Sequence, residues 1–167
     1  MNSRCSPCKT ERTKNKVIDK RIDNEDISVM KHTSAAGIIV YQDHGQDKLY
    51  FLGLVALPQF QTKNKGIYDI PKGRIDPGEM PLECAIREAK EEATIDITHL
   101  DSGPYTFDRI TVWLAESYQT PYIGVNPNSG MKEHLGYEWV KSDQMEAQCL
   151  DYLKPHIQWA RKYLGDA

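Results

Sequence analysis

Residues 71–95 read PKGRIDPGEMPLECAIREAKEEATI. Pro81 suits a first helical position, where a missing N–H costs nothing. At 100° per residue, Leu82, Ala85, Ile86, Ala89 and Ala93 fall within an arc of about 100°. This pattern predicts an amphipathic helix over 81–93 whose apolar stripe packs on the rest of the fold. Glu88, Glu91 and Glu92 share a neighbouring face. Measured from Glu88, Glu92 lies about 40° to one side and Glu91 about 60° to the other. Like charges at such spacing destabilise a helix by about 0.2–0.5 kcal/mol per pair.

Two readings follow. The run REAKEE has the composition of many solvated helix faces, where water screens the repulsion. Alternatively, a hard divalent cation such as Mg²⁺ takes oxygen ligands, keeps several waters and bridges to phosphates, which would turn repulsion into binding. The approach KGRIDPGE favours the second reading. Gly73 has no side chain to keep its carbonyl from an ion. Glu79 can reach Arg87, and Arg87 stands one turn from Glu91, so the loop can be pinned to the helix.

Outward from this segment, SAAGIIVYQ (34–42) and KLYFLGLVAL (48–57) read as buried strands joined by the turn residues DHGQD. PQFQTKNKG (58–66) reads as a polar loop and IYDI (67–70) as a brief strand. TIDIT (94–98) is a short strand candidate and YTFDRITVWLAES (105–117) a longer one. PNSGMKEH (127–134) reads as a loop, GYEWV (136–140) as a strand and PHIQWARKYLG (155–165) as a closing helix. Strands, helix, strands, helix describe a mixed sheet flanked by helices, an α/β class.

The chain has 167 residues, 40% hydrophobic and 27% charged, with a net charge of −3. That fits one packed domain and leaves no broad basic field for non-specific duplex binding. Residues 1–31 are polar, charged and aperiodic and read as a flexible or peripheral extension; 32–167 read as the domain. No apolar run approaches the roughly 20 residues that span a bilayer, and no membrane partner is expected. The N-terminus has no apolar stretch after its basic residues, so a cytoplasmic location with reduced cysteines is expected. Cys5 and Cys8 form a lone C-x-x-C pair without the second pair that a structural zinc needs.

Gly73, Glu79, Arg87, Glu88, Glu91 and Glu92 together resemble the signature of the Nudix hydrolases, G-x5-E-x7-R-E-U-x-E-E-x-G-U, with U aliphatic. Ala89 and Ile95 stand at the U positions. Thr94 departs, replacing the last glycine. Threonine disfavours positive φ, so a shifted or strained helix exit is expected. The resemblance implies an α/β/α sandwich around a mixed sheet over about residues 34–165. It implies hydrolysis of a nucleoside diphosphate linked to another group, by water attack on a phosphorus of the polyphosphate chain. Mg²⁺ is the implied cofactor, with Mn²⁺ as a substitute. By position, Glu88 and Glu92 are the main metal ligands, Glu91 and the Gly73 carbonyl further ones, and Arg87 and Glu79 orienting groups. The general base is left among Glu88, Glu91 and, outside the signature, Glu133.

AAGIIVY, PKGRIDPGE, VWLAE and EHLGYEWV are similar to segments of the asymmetrical diadenosine tetraphosphate (Ap4A) hydrolases, although Tyr68 stands where that family carries tryptophan. Lys72 and Arg74, flanking Gly73, and His134 are candidates for phosphate oxygens. Tyr68 and Tyr137 are candidates to stack on a base. The expected partner is a nucleotide or dinucleoside polyphosphate, with the chain acting as a monomer or homodimer. Removal of a pyrophosphate or cap from an RNA 5′ end and cleavage of ADP-ribose are the alternative reactions. A non-catalytic nucleotide-binding module is disfavoured, because every signature carboxylate is present.

Overall fold

Alternating apolar side chains in two central strands require a sheet covered on both faces, and the chain supplies both covers. The computed structural model describes residues 33–166. The 1–31 extension with Cys5 and Cys8 lies outside the described residues. A seven-stranded mixed sheet is formed by β1 (Ala35–Asp43), β2 (Leu49–Ala56), β3 (Tyr68–Asp69), β4 (Lys72–Arg74), β5 (Ser102–Phe107), β6 (Ile110–Glu116) and β7 (His134–Lys141). The main order is β3-β2-β1-β6-β5; β4 pairs with β1, and β7 with β2. β1 and β6 are parallel neighbours, and the other pairings are antiparallel.

The period-2 geometry of a strand sends neighbouring side chains to opposite faces. Ala36, Ile38 and Val40 of β1, with Trp113 and Ala115 of β6, join one apolar cluster; Ile39 and Tyr41, with Val112 and Leu114, join the other. The described residues form four helices, α1 (Pro58–Asn64), α2 (Pro81–Ala93), α3 (Ser142–Gln148) and α4 (Lys154–Tyr163), of which α2, α3 and α4 cover the sheet. On the first face, α2 inserts Leu82, Ala85, Ala89 and Ala93. On the second, α3 contributes Met145 and α4 contributes Ile157 and Ala160. The result is the expected α/β/α sandwich.

The structure differs from the sequence reading where local pattern is silent. Residues 58–64 are helical rather than looped. None of them is buried, so no apolar period marks the helix. Residues 94–98 form no strand, although Ile95 and Ile97 are buried. Asp96 N–H instead donates to the Gln119 side chain, which donates back to Asp96 O, so one amide stands in for a neighbouring strand. The stretch 105–117, expected as one strand, is divided between two: residues 105–107 end β5, and 110–116 form β6, its hairpin partner. The hairpin turn uses Asp108 and Arg109 at φ 48° and 66°, without the glycine that usually marks such a turn. The loop expected to run through 134 ends earlier, because His134 already pairs with Ala56 as the first residue of β7. The helix α3 has no counterpart in the sequence reading. Among the described residues no helix is long and apolar enough to cross a membrane.

Candidate active site

The helix α2 is packed so that its carboxylate face borders a cleft beside β4. Glu88 and Glu92 are each only 8% exposed. Burial raises the pKa of Glu88 and raises that of Glu92 well above the usual carboxylate range. These are not solvated surface acids. Gly73 makes their approach possible: a Cβ there would lie 2.1 Å from a Glu88 carboxylate oxygen. Any larger residue would displace the Glu88 carboxylate.

Arg87 organises the outer edge of this face. Its Nε donates to Glu79 at 2.7 Å and its Nη2 to the other Glu79 oxygen at 3.0 Å, the bidentate geometry that suits a guanidinium. Its Nη1 donates to Glu88 and to Glu91, both at 3.0 Å, and its Nη2 also reaches the Arg74 carbonyl at 3.1 Å. Hydrogen bonds from Arg87 hold the Glu79 carboxyl below its usual range. Glu79 in turn accepts from Asp76 N–H at 3.1 Å, closing the turn before the helix. The loop, the helix and β4 are therefore cross-linked through one cation.

A buried polar network lies beneath, and the sequence reading did not find it. His134 Nε2 meets Asp69 Oδ2 at 2.9 Å, and its Nδ1 faces Glu92 Oε2 at 3.9 Å. Lys72 Nζ lies 3.1 Å from Asp69 Oδ1 and over the ring of Tyr152. Burial opposes the charge on Asp69, but Lys72, His134 and the Ile70 N–H outweigh it, and the net pKa is lowered. Burial likewise opposes the Lys72 charge, and Asp69 outweighs it to give a net rise. An ionised Asp69 only accepts, so His134 Nε2 carries the proton. The signal available was Asp69 itself, a charge within the apolar strand IYDI. Tyr152 follows the short helix α3 and left no local mark.

The cleft encloses about 900 Å³. Lys72, Arg74 and His134 line it together with Gly73, Arg87, Glu88, Glu91 and Glu92, so the predicted phosphate contacts and the predicted metal ligands share one space. Glu133 lies on its rim, where Asn126 Nδ2 donates to it at 2.8 Å. Tyr68 and Tyr137 do not line the cleft. The Tyr68 ring is buried in the core against Gly53 and its hydroxyl donates to Glu138; Tyr137 stands in β7 opposite Leu54. The opposite wall, which the sequence reading did not mark, carries Leu57, Gln59 and Phe60 from the start of α1 and Val125, Asn128 and Met131 from the 124–133 loop.

Thr94 ends α2 where a glycine would, at φ 57° and ψ 38°. The exit is not shifted. Its strained backbone coincides with a hydrogen bond from the Thr94 hydroxyl to Tyr122 O at 2.9 Å. Tyr122 N–H also donates to Ala93 O, and Gly124 N–H to Glu92 O. A Cβ on Gly124 would lie 1.8 Å from the Glu91 carbonyl, so only glycine fits this crossing. The segment entering the opposite wall is thereby fastened to the end of the carboxylate helix.

No group of three or more His, Cys, Asp or Glu side chains among the described residues converges into a complete metal cage. Magnesium rarely requires one, being held by one or two carboxylates plus waters and substrate phosphates. Two buried carboxylates with raised pKa, packed against the Gly73 backbone, are the hard-oxygen donors such an ion takes. The donor set therefore fits the group.

Residues 31–164 match the family model described as the NUDIX domain. A crystal structure of a C. elegans Ap4A hydrolase binary complex aligns with a TM-score of 0.58 at 25% identity, covering 80% of this chain and 99% of that one. The NUDIX domain of Shewanella oneidensis NrtR, complexed with ADP ribose, aligns with a TM-score of 0.56 at 18% identity, covering 87% and 97%. At that identity the second likeness shows the fold alone. Over 73 residues, 44% of this chain, the sequence is 34% identical to an RNA pyrophosphohydrolase of Erythrobacter litoralis (strain HTCC2594) and spans 38% of that protein's length. The chain belongs to the Nudix domain family, and that membership with its hydrolase neighbour supports a nucleotide pyrophosphohydrolase.

Proposed function

We propose that this Nudix-domain protein is a divalent-metal-dependent hydrolase of nucleoside polyphosphates, with a diadenosine polyphosphate as the first candidate substrate. The observation that carries the reading is the pair Glu88 and Glu92, two carboxylates held out of water against a glycine backbone. Leaving such a pair without a cation is costly. The likeness to an Ap4A hydrolase at nearly full coverage favours the diadenosine substrate.

Glu88 and Glu92, with the Gly73 carbonyl, are the residues that would hold Mg²⁺. When bound, the ion supplies charge neutralisation at the phosphates and a more acidic water. Arg87 fixes the orientation of Glu88 and Glu91 through its two 3.0 Å hydrogen bonds. Lys72 remains charged over Asp69 and, with Arg74, sets positive charge against the phosphate chain. Glu133, held on the rim by Asn126, accepts the proton of the attacking water. Asp69 fixes the His134 ring at 2.9 Å, and His134 Nδ1 packs 3.9 Å behind Glu92 Oε2, so the ring occupies the space into which Glu92 could retreat.

A second reading, hydrolysis of a pyrophosphate at an RNA 5′ end, is favoured by the 34% identical stretch. One assay separates the two. The protein with Mg²⁺ is given dinucleoside polyphosphates, nucleoside triphosphates and triphosphorylated RNA, and the products are identified. Turnover of the dinucleotide is expected, and Glu92→Gln should lower kcat by at least about 100-fold, more than is typical for a supporting partner of a ligand. No turnover on the panel, or an unchanged rate in the variant, would overturn the hydrolase reading.

A further inference from the structure

We infer, resting on the hydrolase reading, that Phe60 of α1 with Val125 and Met131 of the facing loop forms a subsite for the substrate's nucleobase. Phe60, Val125 and Met131 are 45%, 51% and 68% exposed, yet all three line the cleft that holds Glu88 and Glu92. They face water inside a concavity, where apolar surface is unfavourable until a ligand covers it. α1 buries none of its own residues. Its aromatic side chain is therefore not a core residue that happens to show an edge. Tyr118 is also exposed, but its hydroxyl is engaged by Glu116 and the Asp43 carbonyl; Phe60 has no polar tip to satisfy.

The surroundings select the occupant's chemistry. A flat π-system stacks on a phenyl ring, and a thioether adapts to its other face or edge. Gln59 and Asn128 line the same cleft, and their side-chain amides carry both donors and acceptors, as the edge of a heterocyclic base requires. A purely apolar group would leave them unused. Lys132, next to Met131, lines the cleft too and joins Lys72 and Arg74 along the space a polyphosphate would cross. Tyr68 and Tyr137 stand outside the cleft, so neither supplies an aromatic face within it.

The test compares a substrate that has a base with one that lacks it. Phe60→Ala should raise KM for diadenosine tetraphosphate by roughly 5- to 150-fold, the loss expected from stacking of about 1–3 kcal/mol per base. Its kcat should change little, and KM for ribose 5-diphosphate should stay at the wild-type value. Phe60→Tyr should restore KM. In protein carrying ¹³C-methyl methionine, adding AMP with Mg²⁺ should move the Met131 methyl resonance upfield through the ring current, and Met131→Leu identifies that signal. An unchanged KM for the dinucleotide, or an equal rise for both substrates, would overturn the subsite. An unmoved Met131 methyl at saturating AMP would overturn it as well. If the wild-type protein turns over nothing, the hydrolase reading falls, and the methyl shift alone then upholds or rejects the base site.

Discussion

The two walls of the cleft are built on opposite terms. The α2 wall is cross-linked: Arg87 alone bonds Glu79, Glu88, Glu91 and the Arg74 carbonyl, and the apolar side of the helix is buried in the core. The facing wall carries exposed Phe60, Val125 and Met131, and α1 within it buries nothing. Chemistry that must position charge needs side chains whose geometry is imposed by many neighbours. A surface that distinguishes substrates needs shape and apolar contact, and can vary without unfolding the protein. The contrast teaches that catalytic and stability losses should coincide on one wall and separate on the other.

The severest test is Arg87→Ala. It leaves Glu79, Glu88 and Glu91 without their shared cation, so activity should fall by more than about 100-fold and stability by about 2–3 kcal/mol, read by turnover and urea unfolding. Loss of activity with full stability would mean that the α2 wall is not held by this hub. His134→Ala comes next. Loss of the ring packed behind Glu92 should lower kcat by about 10- to 100-fold, and His134→Asn should recover part of it. Met131→Ala, on the facing wall, should change unfolding free energy by less than about 0.5 kcal/mol. A larger stability loss there would erase the distinction between the walls.

Acid provides a control on the far face of the sheet. His156 of α4 is buried and its Nε2 donates to Ile110 O at 3.0 Å. Burial lowers its pKa below the usual value of about 6.5. The unfolded chain thus takes up a proton that the folded chain refuses, and stability should decline as pH falls through about 6.5. Thermal unfolding from about pH 7.5 to about pH 5.5 should show a steeper decline in the wild type than in His156→Gln. The smallest effect belongs to Thr94, where αL strain opposes a hydroxyl hydrogen bond. Thr94→Gly should change stability by less than about 1 kcal/mol, because both contributions disappear. Thr94→Val keeps the strain and loses the bond, so it should be the less stable of the two.

Much of the α2 wall was legible in sequence, since helical spacing alone brings residues 88, 91 and 92 to one face and places Arg87 within reach of Glu91. Gly73, as a residue without a side chain, already marked a close approach. The facing wall was not legible. A helix that buries nothing has no apolar period, so 58–64 read as part of a polar loop and nothing in the spacing marked Phe60. The hairpin turn at Asp108 and Arg109 was hidden because its positive φ values fall on residues other than glycine.

Taken alone, the sequence determined the mixed α/β layering, the helix over 81–93 and the gathering of its carboxylates, because periodicity and spacing act over a few turns of chain. Tertiary structure alone decided that His134 and Asp69 meet beneath Glu92, that Lys72 is held over Tyr152, and that Phe60 and Met131 line the same cleft as Glu88. Those pairs are brought together by strand pairing and loop closure over long separations, and no local rule of residue spacing encodes such distances.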